Sequence, residues 1–476
     1  MIACHLDRNS QSAFWPSLCG ALCAALLSGC ADFRAPEYQR PDAPGKSSWS
    51  QPAGAAVSAA DTITPDWWRE FGDPYLDTLV NAAIAGNFDL KVLAARIQVA
   101  NTEIAAVEAG ALPTANLGAG ADFEKTTQRK STQTYTVAGQ LSWEIDIWGK
   151  VAKGVQGQTA EWRATEADWR AGYLKLIASV STTYFQILQF DEQIDQQQKA
   201  LAKNRQILAI YEAQYANGVV GQTQVLQQRA EVNRQTKELL ELRRSRNVAN
   251  NALATLTGVP AGEFHVPHGY LEERVRLPLV PPGLPSQLLA RRPDVIAAEY
   301  RVLEAVDLVG QARLAQLPSI GMTGRAGTAS LSPADLFKSF TLSFLPSINL
   351  PLFDPNIKAQ IKISEAQTKV AEEQYRSTVL AAYEEVESTL VNLGAHREQR
   401  TQLLQQTDSL RAAAAQVEAQ LKEGLVSQLE VFEAERQLLA AELDLLLNQQ
   451  EILSDTVTIY KALGGGWPTV NVRNQS

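Results

Sequence analysis

The chain has 476 residues, 45% hydrophobic and 20% charged, with a formal net charge of −9 at pH 7. That acidic balance argues against a nucleic-acid partner, which would need a basic face. Three of its four cysteines, Cys4, Cys19 and Cys23, fall in an N-terminal leader, so the mature chain has no thiol pair for a disulfide or a thiolate metal site.

From the N-terminus, Phe14–Leu27 is mostly apolar, too short to span a membrane, and runs into Leu26-Leu27-Ser28-Gly29-Cys30. This reads as a signal peptide over residues 1–29, with a weak charged region in which Asp7 offsets Arg8. The Leu-x-Ser-Gly-Cys ending resembles the lipobox of bacterial lipoproteins. That resemblance implies a covalent lipid, palmitate included, on Cys30 as the mature N-terminus. Ala31 in place of Asp favours the outer membrane as destination. An ordinary signal peptide with an incidental cysteine is the plainer alternative. Two acyl signals suffice for stable anchoring, at about 0.8 kcal/mol per buried methylene. Residues 30–66, rich in Ala, Pro, Ser and Gly, form the expected tether. Beyond the leader no apolar run reaches the ~18 residues of a transmembrane helix, so any membrane crossing must use strands.

The remainder repeats itself. Asn87-Phe88-Asp89-Leu90 through Arg96 matches Arg292-Pro293-Asp294-Val295 through Arg301, and Leu112-Pro113-Thr114 matches Leu317-Pro318-Ser319. Glu212-Ala213-Gln214 with Gly218, Val220 and Gln222 matches Glu418-Ala419-Gln420 with Gly424, Val426 and Gln428. The offset is 205 or 206 throughout, which predicts a first repeat at 67–260, a linker at 261–285, a second repeat at 286–467 and a tail at 468–476. Each repeat should run helix, strand, strand, helix, helix. The strands are expected at about 112–146 and 317–351, and the helical hairpins at about 149–258 and 355–463.

Four strands are expected, two in each repeat. Ala115, Leu117, Ala119, Ala121 and Phe123 alternate with Asn116, Gly118, Gly120, Asp122 and Glu124. Tyr135, Val137, Leu141, Trp143 and Ile145 alternate with Thr134, Thr136, Gln140, Ser142 and Glu144. In the second repeat Phe340, Leu342, Phe344, Ile348 and Leu350 alternate with Thr341, Ser343, Ser347 and Asn349. A weaker strand near 320–329 puts Arg325 on its polar side, and Pro346 suggests a bend or bulge in its neighbour. Period two means one apolar and one polar face, as in a half-buried soluble sheet or a barrel wall between lipid and a wet lumen. Charges on one side and aromatics on the other favour the barrel. Four strands cannot close, open edges are not tolerated in hydrocarbon, and eight strands would fill with side chains. Three chains and twelve strands are the smallest symmetric solution.

The hairpins follow from proline placement. None occurs from Thr114 to Val259 or from Asn356 to Trp467, whereas twelve of 21 lie between Pro260 and Pro355. Proline costs about 3 kcal/mol inside a helix, so the two free stretches can hold helices roughly 100 Å long. Each turns at a glycine, Gly218 or Gly424, suited to the left-handed residue that ends a helix. Val431, Leu438, Leu445, Ile452 and Ile459 are spaced by seven, and a second seam through Leu425, Leu429, Phe432 and Leu439 runs beside them. Two seams on one helix imply neighbours on two sides, as in a cylindrical wall. The only histidine pair, His265 and His268, has no ligand-like companions, and no nucleotide, nucleophile-elbow or zinc-protease motif is present, so neither an enzyme nor a metal or other cofactor is expected.

Trp67-Trp68-x-x-Phe71-x-Asp73-Pro74, Trp143-Glu144-Ile145-Asp146-Ile147-Trp148-Gly149-Lys150, Arg291-Arg292-Pro293-Asp294-Val295 and Pro351-Leu352-Phe353-Asp354 occur in this order. Together with the duplication and the lipobox, they resemble the outer-membrane efflux proteins of the TolC/OprM type, lipoprotein (NodT-like) branch. The resemblance covers nearly the whole mature chain. It implies a mainly α protomer with a membrane β portion, and a homotrimer with a 12-stranded β-barrel in the outer membrane over a long periplasmic α-barrel. It also implies a periplasmic adaptor (membrane fusion) protein and an inner-membrane transporter of the RND type as partners, with drugs or other toxic compounds as cargo. By the same resemblance, hairpin tips at Gly218, Val219, Gly424 and Leu425 meet the adaptor, and Glu430 and Glu433 form an acidic periplasmic gate. The family usually has Asp at the gate positions, and the first repeat has Gln224 and Gln227 there. Six gathered carboxylates would favour cations and raise some of their pKa values; glutamate is equally a good exposed helix former. A channel exporting protein, as in type I secretion, and a lipid-anchored coiled-coil adaptor remain the alternatives.

Overall fold

The computed structural model describes residues 36–50, 64–125, 132–278 and 290–467. Cys30 and the leader, the whole C-terminal tail and part of the inter-repeat linker lie outside the described residues. After a short 3-10 turn at Trp67–Phe71 come α1 (Pro74–Gly86), α2 (Phe88–Glu108), β1 (Thr114–Glu124), β2 (Thr132–Ile145), α3 (Lys150–Ala216) and α4 (Gln222–Thr257). The second half follows the same plan with α5 (Pro293–Leu314), β3 (Ser319–Ser330), β4 (Thr341–Asn349), α6 (Pro355–Lys422) and α7 (Gln428–Ala462). Helices α3 and α6, of 67 and 68 residues, occupy the proline-free stretches and are each about 100 Å long. Among the described residues no helix is long and apolar enough to cross a membrane.

The chain forms two compact units. The first contains Arg96–Thr165 and Ala297–Arg376 and includes all four strands, which form one sheet in the order β1-β2-β3-β4 with every pair antiparallel. Pairing is uninterrupted from Ser319↔Asn349 to Gly327↔Thr341, and Pro346 sits directly opposite Met322. Pro346 therefore produces no bulge. The proline lies on β4, an edge strand of the protomer's sheet, where its missing N–H can point away from β3 without breaking the ladder. Below the sheet, α3 and α5 are tied by Lys153 to Asp307 at 2.8 Å, and Arg313 joins α5 to Glu365 of α6 at 2.8 Å.

The second unit contains Ala43–Ala95, Glu166–Ile296 and the chain from Ser377 onward. Its core joins Trp67, Phe71, Leu76, Val80, Ile177, Phe185, Leu188, Leu253 and Tyr460, and Trp67 stacks on Tyr460 at 4.8 Å. Local chemistry explains why α1 starts where it does: Asp73 accepts from the Tyr75 N–H at 2.8 Å and Pro74 takes the first helical position. Leu76, Leu79, Val80 and Ala83 then share one buried stripe. Helix α4 ends on Gly258 at φ +76°, where a Cβ would lie 2.4 Å from the Gly86 carbonyl oxygen, so only glycine fits this crossing.

Candidate channel wall and hairpin tips

The sheet register sorts the strand residues into two faces, because directly opposed residues point the same way. One face carries Leu117, Phe123, Leu141, Trp143, Ile320, Leu342, Phe344 and Ile348. In the protomer Leu117 is 82% exposed, Leu342 76% and Ile348 75%, so this apolar surface lacks cover from its own chain among the described residues. The opposite face carries Thr114, Asn116, Asp122, Glu124, Thr134, Thr136, Gln140, Ser142, Glu144, Thr323, Arg325, Ser343 and Asn349, interspersed with Gly118, Gly120, Ala138, Gly321 and Gly327. Such a wall suits water on one side and hydrocarbon on the other. Its two edges, β1 and β4, have no partner strand within the described chain.

In the second unit both hairpins turn in the same way. Gly218 and Gly424 adopt φ +73° and +72°. The N–H of Val219 reaches the Gln214 carbonyl at 2.9 Å, and that of Leu425 reaches Gln420 at 3.0 Å. Glycine closes each helix and the next apolar side chain is pushed outward: Val219 is 71% exposed and Leu425 74%.

The two acidic residues past the second tip lie within the first two turns of α7, and each is held by its own helix. Glu430 reaches back to the Ser427 N–H at 3.1 Å, the N3 half of a capping box. Glu433 accepts two bonds from Arg436, at 2.6 and 3.0 Å, and one from Gln437 at 2.9 Å. The Arg436 bonds, with help from Gln437, pull the Glu433 carboxyl down to about 2. Within one protomer this opposes the upward shift expected from a ring of like charges. A cavity of about 420 Å³ lies beside them, lined by Tyr211, Gln228, Glu231 and Arg234 from the first hairpin and Phe432, Glu433 and Arg436 from the second. Lys203 of α3 bonds Glu435 of α7 and lies 3.9 Å from Glu418 of α6, so one lysine ties the first hairpin to both helices of the second.

The family model for outer membrane efflux proteins matches this chain twice, at residues 79–259 and 284–465, together well over half its length. The chain belongs to the outer membrane efflux protein family. The probable outer membrane lipoprotein SilC of Salmonella typhimurium is 29% identical over 93% of this chain and 97% of that protein. The toluene efflux pump outer membrane protein TtgF of Pseudomonas putida is 30% identical over 94% and 96%. The structure matches the open state of the Neisseria gonorrhoeae MtrE outer membrane channel with a TM-score of 0.80 at 27% identity, covering 91% of this chain and 98% of that one. This efflux protein is thus a mainly helical, TolC-like outer-membrane channel for export of toxic compounds, and not an enzyme.

The partners Arg436 and Gln437 stand three and four residues after Glu433, and Ser427 stands three before Glu430. Both spacings are visible in the sequence of the efflux protein as an i,i+3/i,i+4 pair and a capping signature. The tether's seat is not visible there. In the first unit Tyr38 donates to Glu299 at 3.1 Å, Arg40 pairs with the same carboxylate, and Arg376 donates to the Asp42 carbonyl at 3.0 Å. In the second unit Glu387 receives Lys46 and both the N–H and the hydroxyl of Ser50.

Proposed function

We propose that three copies of this chain share one twelve-stranded barrel in the outer membrane and continue it as a helical tunnel through the periplasm. The reading rests on one observation: among the described residues, a four-stranded sheet with two free edges and an apolar face with no cover from its own chain. Unpaired strand edges in hydrocarbon cost several kcal/mol per group, so closure must come from other chains. The trimer is typical of the family. Cys30, lipidated and first in the mature chain, anchors each copy, in keeping with the lipoprotein branch to which the name of SilC points. The tips at Gly218, Val219, Gly424 and Leu425 meet a periplasmic adaptor, which links the tunnel to an RND-type inner-membrane transporter. The exposed Val219 and Leu425 supply the apolar part of that contact. Glu430 and Glu433 of three chains ring the periplasmic opening. The cargo is a small toxic molecule such as a drug or solvent, a reading supported by the naming of TtgF as a toluene efflux protein.

Deleting the gene and exposing the strain to drugs, solvents and metal salts tests the cargo. Restored resistance with the intact gene, and not with a copy carrying Val219→Asp and Leu425→Asp, supports the reading. Unaltered sensitivity across the panel, or a defect confined to a secreted protein, overturns the small-molecule cargo.

A further inference from the structure

Arg325 is the only basic residue in the four strands. The register puts it in a single polar row that crosses the whole sheet, Asn116–Gln140–Arg325–Ser343. Its Nε donates to Gln140 Oε1 at 3.1 Å, which steadies the side chain without neutralising it. The next row on the same face toward the β1–β2 loop is Gly118–Ala138–Gly327–Thr341, and the row on the other side is Thr114–Ser142–Thr323–Leu345. Short side chains predominate on both flanks, so the guanidinium is the longest group at its level. The nearest acid toward the helices, Glu144, is already paired with Lys150 at 2.8 Å. Asp122 and Glu124 lie six and eight residues further along β1 than Asn116, roughly 20 Å or more away.

We propose that Arg325 forms a positive ring in the lumen of the assembled barrel and makes it a selectivity element favouring anionic cargo, meaning small carboxylates, sulfonates and amphiphiles that bear them. This rests on the trimeric reading above. Twelve strands about 4.8 Å apart and tilted about 40° enclose a circle of radius roughly 12 Å. A side chain pointing inward brings its charge to roughly 8 Å from the axis, close to one Debye length at physiological salt. Three unit charges at that distance, screened accordingly, enrich a monovalent anion about 2.5-fold on the axis and a dianion about sixfold. At 1 M salt the Debye length falls to about 3 Å and the enrichment all but vanishes. The first-repeat strands have no counterpart charge: Arg325 at the 205-residue offset corresponds to Gly120.

The test uses the full acylated chain in planar bilayers, with native mass spectrometry of the same sample. Reversal potentials in a KCl gradient and block by a disulfonated dye added to the barrel side are compared for the parent, Arg325→Lys, Arg325→Gln and Arg325→Glu. The ring predicts that Arg325→Lys behaves as the parent. It also predicts that Arg325→Gln shifts the K⁺/Cl⁻ permeability ratio toward K⁺ by about sixfold at physiological salt, since K⁺ depletion and Cl⁻ enrichment are both relieved, with Arg325→Glu further along. Dye block should weaken several-fold in Arg325→Gln and, for the parent, in 1 M KCl. A conducting trimer whose selectivity and dye block are the same in parent and Arg325→Gln removes the ring alone. A parent chain that never forms a conducting trimer removes the assembly and the ring together.

Discussion

Replacing Arg292 by Met should weaken the second unit more than any single surface change. Arg292 is 9% exposed and sends Nη1 to Glu385 at 2.7 Å and to the Ala462 carbonyl at 3.0 Å, with Nε and Nη2 to Asp294 at 2.9 and 2.7 Å. One guanidinium thereby joins the start of α5 to both α6 and the end of α7. Methionine fills similar space but leaves Glu385 and a buried carbonyl without their donor. Breaking a buried pair from one side costs about 3–5 kcal/mol, and Lys461, also 2.7 Å from Glu385, offsets part of it. We expect a loss of about 3 kcal/mol at pH 7, read as a melting temperature lower by about 3 °C for a chain of this size. Burial pushes the Glu385 carboxyl up, but its bonds to Lys461 and Arg292 outweigh burial and hold it below the usual carboxylate range. A depressed carboxylate contributes stability above its unfolded pKa and loses it as pH falls through the folded one. The gap between parent and Arg292→Met should therefore narrow below about pH 4. The assay is intrinsic-fluorescence melting of the purified detergent-solubilised protein at pH 7 and pH 3.5, with Arg244→Ala as a control, since its Glu241 pair is exposed and should move nothing. Equal melting of parent and Arg292→Met at pH 7 would refute the reasoning.

Other expectations can be checked with the same preparation. Glu304 of α5 is pushed up to about 7 by burial and by Glu161, so its ionisation opposes folding as pH rises from the ordinary carboxylate range toward neutrality. Glu304→Gln should raise the melting temperature at pH 8 and leave it unchanged at pH 4; no gain at pH 8 contradicts this. Gly258→Ala places a Cβ against the Gly86 carbonyl at positive φ and should cost more than the ~1–2 kcal/mol of left-handed strain alone, seen as a drop in assembled yield and melting temperature. Glu430→Gln with Glu433→Gln should lower cation selectivity in bilayer recordings. Glu387→Gln should loosen the tether, accelerating tryptic cleavage after Lys46 by about fivefold through the loss of an interaction worth about 1 kcal/mol.

Strand faces were legible because period two needs no knowledge of partners: Leu342 and Phe344 fall on the apolar side and Ser343 on the polar side in sequence and structure alike. Helix lengths were legible because proline is a local veto, and the tip turns because Gly218 and Gly424 satisfy a local backbone requirement. Pro346 misled because a bulge and an edge position cannot be told apart without the strand order. The local partners of Glu430 and Glu433 were legible, and the contacts between the hairpins were not. The Arg436 bond to Glu433 is local and readable, whereas Lys203 meeting Glu435 joins residues 232 apart and leaves no periodic trace. The tether's clasp was hidden for the same reason, since Tyr38 and Glu299 are 261 residues apart and the surrounding Ala- and Pro-rich stretch carries no repeat.

Closure of the sheet by neighbouring chains can be measured directly by native mass spectrometry of the mature protein extracted from outer membranes in mild detergent. The account predicts a single species of three chains that resists SDS until heated and then runs as one. A water-soluble single chain, or a detergent-stable assembly of any number other than three, would contradict it.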